Sequence, residues 1–250
     1  IGGEVDDPYL GILLTYPEAA DGTGQRRVVE LRSRSGKTGR LGLGFVGAGS
    51  FGKATLLPRF ARASNVEMVG IATATGASAR ATGEKFGFQL CTTEAAQLLS
   101  DDRVDAVVIT TRHNSHARYT VAALEAGKAV FVEKPLALDE VELTAILEAQ
   151  RESGQPIMVG FNRRFAPATT VLREGITSPR VLVFRVNAGF LDPSSLINDR
   201  EEGGGRVVGE ACHFVDLAVH LTGSRPLEVR AQGIASPNGS ANRPSKRIRN

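Results

Sequence analysis

The stretch that most restricts the fold of this chain is GAGSFG, Gly47 to Gly52. An apolar run, Leu41 to Val46, precedes it, and "KATLLPRFARA", with helical spacing, follows. Glycine at G-x-G-x-x-G spacing between a strand and a helix has a physical reason at each place. Gly47 suits a tight turn, Gly49 lets main chain approach a pyrophosphate, and Gly52 lets the helix pack closely on the sheet. The phosphates would then rest on the unpaired N–H groups of the helix start, in the turn that also holds Ser50 and Phe51. In a chain with 28 glycines such a turn alone is a weak signal, so its context carries the weight. Pro58 predicts that the helix kinks or stops early.

The context is an alternation of strands and helices. Val66 to Ala72 reads as the second strand, and a carboxylate for a ribose 2′-hydroxyl is expected at its end, about 20 residues beyond the glycines. Thr73 stands there instead. Its lack of charge removes the repulsion that would exclude a 2′-phosphate, and Ser78 and Arg80 are candidates to bind one. The cofactor is therefore NAD or NADP, with a lean to NADP; the competing reading makes Arg80 an exposed helix residue. Ala106 to Thr110 and Ala129 to Val132 are two more strands, separated by a helix that Gly127 ends. Right-handed crossovers between them imply a parallel sheet, with ligands beyond the carboxyl ends of its strands. At that rim the stretch "AGKAVFVEKPLAL" places Glu133 and Lys134 directly before Pro135.

Composition excludes several classes. With 250 residues, 42% hydrophobic and 23% charged, the chain has the balance of a soluble globular protein of one large or two modest domains. Net charge is only +3, and the basic terminal stretches hold no interleaved aromatics, so no nucleic-acid partner is expected. No apolar run is long enough to span a bilayer and no signal-peptide pattern opens the chain, so no membrane partner is expected. Two cysteines, Cys91 and Cys212, lack metal-ligand spacing and point to a reducing, cytoplasmic compartment and no metal site. Residues 1–39 read as a leftover segment and linker, 40–160 as the dinucleotide-binding domain, and 161–250 as part of a second domain. Within the last, Leu227 to Ile234 reads as a strand before a polar tail.

The ordered motifs GAGSFG, "TRHNSH", "EKP", "GFNRRF" and "GGGRVVGEACHFVD" resemble the glucose-fructose oxidoreductase / inositol dehydrogenase / MocA (Gfo/Idh/MocA) family of NAD(P)-dependent oxidoreductases, over roughly residues 40 to 234. The resemblance implies an α/β fold: an N-terminal Rossmann domain with a parallel sheet, then a C-terminal α/β domain with a mostly antiparallel sheet. That second sheet is expected to be truncated here, and the chain to form a homo-oligomer through it. The segment "PYLGILLTYPE" resembles the tail of a zinc-type medium-chain dehydrogenase, which suggests fusion to another dehydrogenase module. By resemblance Lys134 touches both nicotinamide ribose and substrate, and Glu133, Thr111 and His116 lie against the cofactor. Arg112 stands where the family has proline. His213 matches the acid/base histidine, and Asp216 lies one turn later on the same face. Gly209 falls where many relatives carry Asp four residues before the histidine; Glu210, about 100° round a regular helix, is expected to point elsewhere.

The chemistry follows from the residue types as well. Oxidising a secondary alcohol requires a base for its hydroxyl proton, which suits the pKa of His213, and an ammonium such as Lys134 stabilises charge developing on the same oxygen. Asn162, Arg163 and Asp216 are candidate substrate contacts, with paired arginines at the rim suited to an anionic sugar derivative. His113 reads as a loop histidine. The expected activity is hydride transfer between nicotinamide and a hydroxyl-bearing carbon of a sugar, sugar nucleotide or cyclitol. The alternatives are a non-catalytic dinucleotide-binding regulator, favoured by Gly209, and a module that needs a fused partner.

Overall fold

The structure, a computed structural model, describes residues 28–33, 39–175, 181–187, 189, 195 and 198–232. Its centre is β2 (Leu41–Val46), whose side chains alternate between two faces. Leu43 and Phe45 enter one core with Leu57, Met68, Ile71, Phe88 and Val108, whereas Val46 joins Val107, Ile109, Leu124, Val130 and Ile146 in the other. A strand buried on both faces must read as a continuous apolar run, which is why LGLGFV does.

Around β2 lie β3 (Val66–Ala72), β4 (Leu90–Thr92), β5 (Ala106–Ile109), β6 (Ala129–Val132) and β7 (Ile157–Val159), all parallel, in the spatial order β4-β3-β2-β5-β6-β7. The winding direction reverses between β2 and β5, so a crevice opens beyond the carboxyl ends of those two strands. Helices α1 (Leu57–Phe60), α2 (Gly76–Phe86), α3 (Ala95–Leu99), α4 (His116–Glu125) and α5 (Glu140–Ser153) are the crossovers. Phe45 anchors the α1/α2 side, meeting the rings of Phe60 and Phe88 edge-on at 5.8 Å each. Beyond β7 the chain continues through a short 3₁₀ turn, α6 (Pro167–Gly175), a turn at Val207–Ala211 and α7 (Cys212–Thr222).

Two expectations need correction. The stretch read as linker contains a seventh strand, β1 (Val28–Glu30), antiparallel to β4 in the register Val28 to Thr92 and Glu30 to Leu90. The Leu31 N–H extends it by donating to the Gln89 carbonyl at 2.8 Å. Three residues in polar surroundings give no readable period, so only the free edge of β4 explains the pairing. Conversely, Leu227 to Ile234 does not form the expected strand in its described part, residues 227–232; Leu227 is 96% and Val229 82% exposed. Strand propensity expresses a fit to neighbours, and no strand among the described residues pairs with this segment. Ile234 and the polar tail, like residues 1–27, lie outside the described residues.

Removing the Phe45 ring should lower the unfolding free energy by about 3–5 kcal/mol. A urea titration of Phe45→Ala checks this against Val141→Ala, which removes an exposed side chain on α5 and should change stability by less than about 0.5 kcal/mol.

Candidate active site

The glycine turn is built against the end of β5. Gly47 has φ of +91°, and a Cβ there would lie 2.8 Å from the Thr110 carbonyl atoms. At Gly49 a Cβ would meet the Thr110 oxygen at 3.1 Å, and at Gly52 the Thr110 Oγ1 at 2.9 Å. Thr110 Oγ1 also donates to the Gly47 carbonyl at 3.1 Å. All three glycines thus admit one residue of the neighbouring strand. The helix begins at Ser50, and the Lys53 N–H donates to the Gly49 carbonyl at 2.9 Å, so the preceding N–H groups are the unpaired donors of a helix start. Pro58 does not stop the helix at once: the turn Gly52–Leu56 widens to i→i+5 pairing, and α1 continues from it with the proline in its first turn.

From this turn a cleft of about 350 Å³ runs over the carboxyl ends of β5 and β6 to α7. Gly49, Ser50, Phe51 and Gly52 line one end; Thr111, His116, Glu133 and Lys134 line its floor; Asn162 and His213 close the other end. Two lining residues, Thr110 and His113, were not among the expected ones. Gly47, Thr73, Arg80, Arg163 and Asp216 do not line it.

Four of these side chains are engaged elsewhere. Thr73 is buried, its hydroxyl donating to the Thr75 carbonyl at 2.9 Å. Arg80 is exposed and paired with Glu84 at 2.8 Å on the same face of α2; that hydrogen bond, more than the charge itself, holds its guanidinium above its ordinary pKa. Arg163 stacks on the Phe214 ring, 4.7 Å from its centroid. Asp216, expected as a substrate contact, accepts from Arg164 with both oxygens, Nε to Oδ2 at 3.0 Å and Nη2 to Oδ1.

At the cleft floor the Lys134–Pro135 bond is cis. Lys134 Nζ donates to the Gly209 carbonyl at 2.8 Å and to Glu210 Oε1 at 3.0 Å, so Glu210 does not point elsewhere as expected. His116 is fully buried, with Nδ1 2.8 Å from the Pro135 oxygen and Nε2 3.2 Å from the Thr111 oxygen. A neutral imidazole has one N–H; with carbonyls at both nitrogens, His116 has none for a cofactor and braces the Lys134–Pro135 segment instead. The neighbouring loop is clasped from the C-terminal side. Arg112 Nη1 pairs with Glu202 at 2.6 Å, and His113 Nδ1 lies 2.9 Å from the Gly203 oxygen.

A profile of the "Oxidoreductase family, NAD-binding Rossmann fold" (GFO_IDH_MocA) matches residues 41–161. Inositol 2-dehydrogenase of Rhizobium meliloti is 34% identical over 190 residues, covering 75% of this chain and 57% of that protein. An oxidoreductase domain protein from Kribbella flavida superposes with a TM-score of 0.66 at 29% identity, over 75% of this chain and 54% of the other. The chain belongs, through these residues, to the Gfo/Idh/MocA family of oxidoreductases. A levoglucosan dehydrogenase structure in complex with NADH and levoglucosan is also similar, with a TM-score of 0.62 at 29% identity, over 73% of this chain and 54% of that one. The chain spans little more than half the length of these Gfo/Idh/MocA proteins.

Burial sets the charge states in the Gfo/Idh/MocA cleft. His213 is buried, and one ring nitrogen, Nδ1, has no hydrogen-bond partner among the described residues. Burial foremost, then the positive charges of Lys134 and Arg163, hold its pKa below the ordinary 6.5, against smaller opposing effects of Glu210 and Asp216. The surroundings thus favour the neutral form of the ring. Burial likewise pushes the Glu133 carboxyl up, against the Lys134 N–H and charge, and holds His116 down. Among the described residues there is no helix long and apolar enough to cross a membrane and no cluster suited to a metal ion.

A histidine with a depressed folded pKa takes up its proton more readily when unfolded. Its contribution is fully present above the unfolded value, near 6.5, and is lost as pH falls toward the folded value. Urea midpoints are expected to fall between about pH 7 and pH 5, with a shallower slope in His116→Gln despite the opposite pull of Glu133.

Proposed function

We propose that this chain is the cofactor-binding and catalytic portion of an NAD(P)-dependent dehydrogenase that oxidises a secondary alcohol on a sugar or cyclitol, or reduces the corresponding ketone. The observation that carries the reading is a single cleft lined by the glycine turn, by Lys134 from the end of β6 and by His213 from α7. The residues fit a dinucleotide: position 49 carries no side chain in the lining, the first helical N–H groups lie beside it, and a neutral histidine with an unpaired buried nitrogen stands at the far end. When bound, the nicotinamide supplies the hydride acceptor.

The chain's own residues supply the rest. Lys134 donates a hydrogen bond to the substrate oxygen and stabilises negative charge as the C–H bond breaks. His213, neutral and shielded from water, accepts the hydroxyl proton as the carbonyl forms and returns it in the reverse direction. Glu133, half buried beside them, completes the floor, and Asn162 is a candidate hydrogen-bonding partner for a further hydroxyl. Arg163 on Phe214 and Arg164 on Asp216 are both engaged, which favours an uncharged polyol over a sugar nucleotide. The names inositol 2-dehydrogenase and levoglucosan dehydrogenase among the relatives agree with that class. Thr73 provides no charge against a 2′-phosphate, while Arg80 is committed to Glu84; the reading therefore admits NAD and NADP, and calorimetry with each ranks them.

Incubation with NAD or NADP and a panel of cyclitols, anhydrosugars and hexoses should produce the near-ultraviolet absorbance of reduced nicotinamide. Lys134→Ala is expected to lower kcat about 10²- to 10³-fold and His213→Gln about 10²- to 10⁴-fold, both with cofactor affinity retained. Full turnover in either variant removes that residue from the chemistry.

A further inference from the structure

The position four residues before His213 is glycine, which left open whether this cleft has an acid beside its lysine at all. An ammonium has three N–H donors. Lys134 gives one to the Gly209 carbonyl and one to Glu210 Oε1, which leaves one for the cleft that its side chain lines. Both acceptors belong to a single turn, Val207–Ala211, wound with i→i+5 pairing. On a regular helix, successive residues diverge by about 100°. In this wider turn, the carbonyl of residue 209 and the side chain of residue 210 reach the same amine.

Position 209 is meanwhile tightly surrounded. A Cβ there would lie 3.2 Å from the Gly203 oxygen and 3.5 Å from His113 Cε1. Those two neighbours hold one another through the His113 Nδ1 contact at 2.9 Å, and Arg112 with Glu202 fixes the same loop from outside. The acid that meets Lys134 comes from the next residue, Glu210.

We propose that Glu210 is the positioning residue for Lys134: its carboxylate, reaching in from the widened turn, directs the remaining N–H of the ammonium into the cleft. Glu210 does not line the cleft itself, so it acts through the lysine. Its side chain is 40% exposed whereas that of Lys134 is 16% exposed, so the pair joins a shielded amine to a carboxylate that solvent can reach. The catalytic consequence rests on the dehydrogenase reading above, although the geometry does not.

The test is removal of the carboxylate and its return from solution. Glu210→Ala should lower kcat about 10- to 100-fold, the worth of one charge-assisted hydrogen bond, with KM and dinucleotide affinity within about threefold. Sodium formate or acetate should restore much of the lost kcat, while sodium chloride or acetamide should not, and Lys134→Ala should respond to none of them. A kcat within twofold of wild type, or a loss that formate and acetate leave unchanged, overturns the proposal. The turnover-independent arm is a crystal structure of Glu210→Ala with and without acetate. The Lys134 amine should leave the Gly209 carbonyl and return with acetate bound beside it; an amine that stays in place overturns the proposal even if no substrate is turned over. Absence of turnover in the wild-type protein, by contrast, removes the dehydrogenase reading and leaves this arm to decide the role of Glu210.

Discussion

Thr110 is the residue on which the cleft is built. It directly follows β5 beside the end of β2, where the winding of the sheet reverses, and the three glycines of the turn lie against its carbonyl and hydroxyl, Gly47 and Gly52 at distances that exclude a Cβ. This close approach brings the first helix near enough to β5 for its N–H groups to face the same crevice as the β5 and β6 loops. The glycine spacing is usually explained from the ligand side; here two of the three contacts are explained by the protein alone. Gly47 needs a positive φ under Thr111 and Gly52 must clear the Thr110 hydroxyl, so the turn keeps its shape before any phosphate arrives.

From that base the C-terminal part is fastened on by polar contacts of high sequence separation: Arg112 with Glu202, His113 with the Gly203 carbonyl, and Lys134 with the Val207–Ala211 turn. Two exposed or half-exposed ion pairs of this kind hold geometry more than they add stability, since surface pairs contribute little in water. The large stabilising terms are elsewhere, in the two apolar layers that flank the sheet.

Much of the fold was legible because the sheet is parallel and buried on both faces, so each central strand reads as an apolar run and each crossover as a helical period. The glycine turn, Lys134 and His213 were legible for the same reason: they stand at strand ends and on one helix face. What escaped the sequence depends on contact geometry rather than on periodicity. β1 is three residues whose only reason to be extended is the open edge of β4. The segment 227–232 has strand-forming side chains but no partner among the described residues. Arg164 pairs with Asp216, Glu84 pairs with Arg80 and main-chain carbonyls compete for the single N–H of a neutral His116, and no spacing rule reveals such contacts. The direction of Glu210 was misread because counting residues round a helix assumes regular winding.

That assumption has a wider bearing. A motif comparison that aligns columns would score Gly209 as the loss of an acid, yet in the widened turn a carboxylate from the adjacent column reaches the same lysine. Where winding changes, the column a residue occupies and the atom it touches come apart, so the partner of a lysine is found by distance rather than by counting.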